Sequence, residues 1–221
     1  MQRQEAEEHL RVIRSLMEKA TVYRAISAPT ALIAGLLAIG AAFAGGAIKR
    51  LLIDWQSEES RIATLAFPIT WFAVLLLVGA ANGYFLYRDA QRRGEKFISH
   101  GMKMALIALL PCHLTAAVLS VVVEPNPAML ALVWNIFHGL GLLATGHFSP
   151  RSIILLGWAF LAAGLGAFAA FIHLADGLGL IVAFTFVQFN LFSPHILMAI
   201  TFGGFHLIYA ACTWPRKSAT H

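Results

Sequence analysis

Residues 104–123 read MALIALLPCHLTAAVLSVVV, twenty consecutive positions without an Asp, Glu, Lys or Arg. At 1.5 Å per residue, a helix of about 20 residues covers roughly 30 Å, the thickness of a bilayer's hydrocarbon core. In lipid, only a helix or a closed barrel satisfies every backbone N–H and C=O. One unbroken apolar run without alternation reads as the helix.

Five further runs of this kind flank it, at 28–48, 65–87, 128–148, 153–175 and 195–214, and none holds an Asp, Glu, Lys or Arg. Of the 221 residues 59% are hydrophobic and 12% charged, whereas a soluble domain carries about 25% charged. The expected fold is all-α: a polytopic membrane bundle of six transmembrane helices in one domain over 28–214. Residues 178–192 are apolar but number only 15, are interrupted by Gln188 and Asn190, and are followed by Pro194. So short a run reads as re-entrant or interfacial.

Charge placement sets the orientation. With six spans, 13 of the 16 Lys and Arg residues fall on one side, leaving Lys49, Arg50 and Arg61 on the other. A seventh span would carry Arg216 and Lys217 across and weaken that asymmetry. The positive-inside rule therefore places both termini in the cytoplasm, with 215–221 as a tail. Tyr84, Tyr87, Trp158 and Trp214 fall near the same boundary and Trp55 near the opposite one, as an aromatic belt should. The net charge of +5 is accounted for by this placement, so no nucleic-acid partner is expected.

Residues 1–27 are polar, and from Leu10 to Ile26 they carry Leu10, Ile13, Leu16, Met17, Ala20 and Tyr23 on one helical face. Arg11, Arg14 and Glu18 fall opposite, which predicts an amphipathic cytoplasmic helix. Such a helix covers the end of the bundle, lies among lipid headgroups or docks on a partner. Ser27 is placed to cap the first span and Pro29 to occupy its first turn. No cleavage is expected there, because the run is longer than a signal-peptide core and a long polar stretch precedes it. The second basic segment, 88–103, lies on the same side. The candidate docking residues for a protein or anionic lipid are Arg11, Arg14, Arg88, Arg92, Arg93 and Lys96.

The spans contain little to support chemistry. The chain has no GxxxxGK[ST] phosphate loop, HExxH or GxSxG pattern. No charge sits at membrane depth, which weighs against an autonomous ion-coupled carrier. Cys112 and Cys212 lie in apolar runs without a CxxC neighbour and read as unpaired, buried thiols. The polar groups left inside the membrane are Asn82, Asn135 and three histidines, His113, His138 and His206, near the middles of spans three, four and six. Neutral imidazoles hydrogen-bond neighbouring helices, and they also ligate haem or a metal or bond a quinone. Pro111 removes a backbone hydrogen bond beside His113 and is expected to kink that span. Small residues four apart, at Ala38/Ala42/Gly46, Ala162/Gly166/Ala170 and Ala199/Gly203, predict close helix contacts.

Three stretches carry a resemblance: HLRVIRSLMEKATVYRAISAPTAL at 9–32, GLLATGHFSPRSIILLGWAFLAAG at 141–164 and TFGGFHLIYA at 201–210. Together they resemble a group of bacterial multi-pass inner-membrane proteins with no assigned activity. The resemblance implies a bacterial inner membrane and carries over no catalytic or binding residue.

The leading expectation is a non-enzymatic accessory or regulatory membrane component that docks a cytoplasmic partner. A haem-, metal- or quinone-binding redox subunit using the three histidines is the alternative. A passive channel or permease lined by Asn82, Asn135 and the histidines is the third. No cofactor is assigned.

Overall fold

The computed structural model describes residues 5–14, 16, 27–55, 61–94, 97–98, 100–122, 126–147, 149–175 and 193–214. Among these, the regular structure is entirely helical. The main elements are α1 (Ala28–Trp55), α2 (Arg61–Arg93), α3 (His100–Val122), α4 (Pro127–Ala144), α5 (Arg151–Ala175) and α6 (Pro194–Thr213). All six are long and apolar enough to cross a bilayer. Residues 5–14 add an N-terminal helical segment. The segment 178–192, Lys96 and the tail 215–221 lie outside the described residues.

Local chemistry explains the helix ends. Ser27 begins α1, its hydroxyl accepting the Thr30 N–H at 3.3 Å and its carbonyl the Ala31 N–H at 3.0 Å. Asn126 caps α4 through its side-chain oxygen, which accepts from the N–H groups of Ala128 and Met129. α4 stops at Ala144, short of the expected 148. There the Thr145 hydroxyl donates to the Leu142 carbonyl at 2.7 Å, and the Gly146 N–H turns back onto Leu143. Helix α2 ends where Gly94 takes a φ of 65°, a left-handed conformation that glycine adopts freely.

Two helices outrun their expected spans, α1 reaching Trp55 and α2 covering 33 residues. At 1.5 Å per residue α2 measures roughly 50 Å, well beyond a hydrocarbon core of about 30 Å. Its last turns, with Arg88, Arg92 and Arg93, therefore clear the membrane interior.

The bundle has an inner group and an outer pair. Helices α1, α4, α5 and α6 make the interior, with α2 against α1 and α3 against α4. Two apolar clusters follow each other along the bundle. One joins Ala38 and Ala42 of α1 to Phe67 and Trp71 of α2, Leu130 and Ala131 of α4, and Met198 of α6. The other joins Ala31, Leu142, Ile153, Leu156, Phe160, Tyr209 and Ala210. Phe202 packs against both.

Glycines bring the inner helices together at two crossings. A Cβ on Gly139 of α4 would stand 2.7 Å from the Leu161 nitrogen and 2.8 Å from the Gly157 carbonyl oxygen of α5. A Cβ on Gly35 of α1 would meet the Leu207 side chain of α6 at 2.7 Å. The expected small-residue contacts hold for Ala38, Ala42 and Gly203, which pack in the α1–α6 region. Ala162, Gly166 and Ala170 instead line a cavity, and a Cβ on Gly166 would have no neighbour within 4 Å.

Two sequence expectations are corrected. Cys212 is exposed rather than buried, because it projects outward from the last turn of α6; Cys112 is partly buried, and both thiols are free. The N-terminal segment does not cover the bundle end over residues 5–14, all of which are exposed. Helix α6 also departs from regular α geometry, continuing as a π-helix over Ala199–Phe205 before resuming at His206. π-helical turns are rare and recur at functional positions.

Candidate functional site

The three mid-membrane histidines, far apart in the chain, meet where α3, α4 and α6 converge. Ring centroids lie 5.6 Å apart for His113 and His138 and 6.1 Å apart for His138 and His206. His113 fits because Gly141 has no side chain: a Cβ there would stand 3.0 Å from the imidazole Cε1.

Hydrogen bonding fixes the tautomers of neutral rings. A carbonyl only accepts, so His113 Nδ1 donates to the Leu109 carbonyl at 2.9 Å. His113 Nε2 is then an acceptor and receives the His138 Nδ1 proton at 3.4 Å. That leaves His138 Nε2 as a bare lone pair, buried and without a hydrogen-bond partner among the described residues. His206 Nδ1 donates to the Phe202 carbonyl at 2.9 Å, so its Nε2 also carries a lone pair.

Aromatic rings fill the space around this relay. Phe160, fully buried, lies 4.7 Å from the His138 ring and Phe202 lies 5.0 Å from it. A porphyrin seated on His138 would need the volume these rings occupy. Among the described residues no group of three or more His, Cys, Asp or Glu is arranged to hold a metal ion. As built, His113 and His138 form a polar tie between α3 and α4, and His206 of α6 lies beside them with its hydrogen bond inside its own helix.

The two asparagines lie apart. Asn135 is 0% exposed, and its amide donates to the Ala131 carbonyl at 2.7 Å and approaches the Met198 sulfur at 3.6 Å. Asn82 instead lines a cavity of about 260 Å³ between the start of α1 and the end of α2. Its side-chain oxygen is buried without a hydrogen-bond partner among the described residues. Ser27, Arg88, Asp89 and Arg92 share that cavity. Thus two of the expected docking residues, Arg88 and Arg92, frame a formed pocket. Arg93 lies in the last turn of α2, and Arg11 and Arg14 lie on the exposed N-terminal segment. A second cavity, about 280 Å³ and lined by apolar residues, lies between α4, α5 and the start of α6.

Sequence reasoning missed Phe160 and Phe202 as partners of the histidines, because one aromatic in an apolar span looks like any other. It also missed Asp89 and Asn82 as walls shared with Arg88 and Arg92. The signal was present in their spacing, since 82, 85, 89 and 92 fall along one helical stripe.

Comparison with protein-family models, curated proteins and solved structures returns no match.

Proposed function

We propose that the chain is a non-enzymatic component of a bacterial inner membrane, an accessory or regulatory subunit that docks a cytoplasmic partner through its basic end. The observation that carries this reading is the uncovered N-terminal helical segment. Leu10, Ile13 and Leu16 are 66%, 53% and 61% exposed, so the apolar face of an amphipathic helix is open. Exposed apolar faces on a charged helix mark interaction surfaces. The asymmetry of Lys and Arg supports the cytoplasmic side, and the three resembling stretches support the bacterial membrane. Native mass spectrometry of the protein drawn gently from its own membrane tests the reading. A bound protein is expected, and deleting residues 1–24 should release it. If every co-purifying protein stays in place after that deletion, docking through the N-terminal segment is wrong.

The bare Nε2 of His138 favours a second reading, a quinone-binding redox subunit. An extractable quinone that His138→Phe removes would carry it. Quinone-free protein from native membranes would end it.

A further inference from the structure

We propose that the cavity between the start of α1 and the end of α2 binds an anionic phospholipid whose phosphodiester headgroup carries hydroxyls, the phosphatidylglycerol class. The site is independent of any docked protein.

Its position is right for a headgroup. Tyr84 and Tyr87, 60% and 52% exposed, lie on the same stretch of α2, at the depth where amphipathic rings meet the lipid–water boundary. Phe85 and Leu86 form apolar wall within the cavity. The α2 surface flanking the cavity stripe exposes Leu75 and Leu77, along which acyl chains can run.

Its chemistry fits one phosphodiester. Arg88 and Arg92 both line the cavity, and four residues along a helix separate them by about 6 Å of rise. Two guanidinium forks at that spacing reach the oxygens of a single phosphate, the geometry in which arginine surpasses lysine. Asp89 lines the same cavity, so the three charged walls sum to one positive charge. That balance matches a singly charged diester and disfavours a doubly charged monoester. The buried side-chain oxygen of Asn82 lacks a donor. A headgroup hydroxyl supplies one. A choline headgroup has no donor for the Asn82 oxygen.

The test is native mass spectrometry of the delipidated full-length protein in detergent, offered phosphatidylglycerol and phosphatidylcholine with identical chains. Phosphatidylglycerol should be retained roughly tenfold more strongly, the scale of a charge-assisted hydrogen bond. The pair Arg88→Gln/Arg92→Gln should abolish the preference, while Arg151→Gln should leave it intact. Equal retention of the two lipids would overturn the proposal. So would a preference that survives the glutamine pair, or one that Arg151→Gln removes equally, since that would be diffuse charge attraction. If the glutamine pair does not give monodisperse protein, Arg88→Lys/Arg92→Lys replaces it. Those lysines keep the charge and lose the forks, so a reduced preference is expected and an unchanged one overturns the site. Displacement of the lipid by acyl-free glycerophosphoglycerol at micromolar concentration would overturn the lipid as the source and give the cavity to a soluble phosphodiester.

Discussion

Helices α1 and α3 both read as membrane spans by hydropathy, yet 44% of the α1 span is buried and only 6% of the α3 span. The difference lies in side-chain size. Over 28–45, α1 has 11 Ala, Gly, Ser or Thr among 18 residues, whereas α3 has six among 21 over 102–122. Lipid tails are as apolar as leucine, so greasiness does not drive one helix against another in a membrane. Close approach and dispersion contacts do, and small residues permit both. Accordingly α3, the most apolar of the six spans, is the least buried, and α4, the least apolar, lies inside.

This contrast can be broken most sharply at the α4–α5 crossing. Gly139→Leu should cost more than about 4 kcal/mol and leave little monodisperse protein, because its first carbon already meets backbone across the interface. Gly79→Leu on α2, where a Cβ has no neighbour within 4 Å, should be recovered normally by size exclusion. Next in size, Phe160→Ala should lower thermal stability in detergent by about 3 kcal/mol. That is the low end for soluble cores, since lipid supplies less of the transfer term and the cavity supplies the rest. Ser120→Ala sharpens the comparison from the outer side. It removes the acceptor of the Trp134 indole N–H, a 2.8 Å bond tying α3 to α4, and should cost about 0.6 kcal/mol. Leu110→Ala, on the exposed surface of α3, should change stability by less than about 0.5 kcal/mol. A loss at Leu110 equal to that at Phe160 would show that α3 is covered by something other than lipid.

The same physics explains what is legible in the amino-acid sequence. The number of spans follows from runs of about twenty uncharged residues, and Ser27 with Pro29 marks the first start, as its capping bond shows. The order of burial is not legible from hydropathy, because in lipid both sides of a helix want apolar atoms. Nor does a span announce its rotation about its own axis. His113, His138 and His206 could each have faced lipid, and only the packing of α3, α4 and α6 turns them inward. The extension of α2 past the membrane is hidden in 88–93, where a run of charges reads as a loop although it continues the helix. The cavity at Arg88 and Arg92 depends on that extension together with the start of α1.

The wide turn of α6 gives the last helix a property its neighbours lack. Over Ala199–Phe205 the chain winds more slowly than an α-helix, so everything beyond it is out of phase with everything before. Met198 before that segment, Thr201 within it, and Tyr209 and Ala210 beyond it are all buried because of this slippage. Rewinding the segment as an ordinary α-helix at the same length would swing the C-terminal part by about 100°, one residue's rotation. His206 would then leave His138 while the apolar content of the span stayed the same. Winding in this stretch is thus a constraint separate from composition, and the same residues wound as a regular α-helix would make a differently arranged protein with the same hydropathy.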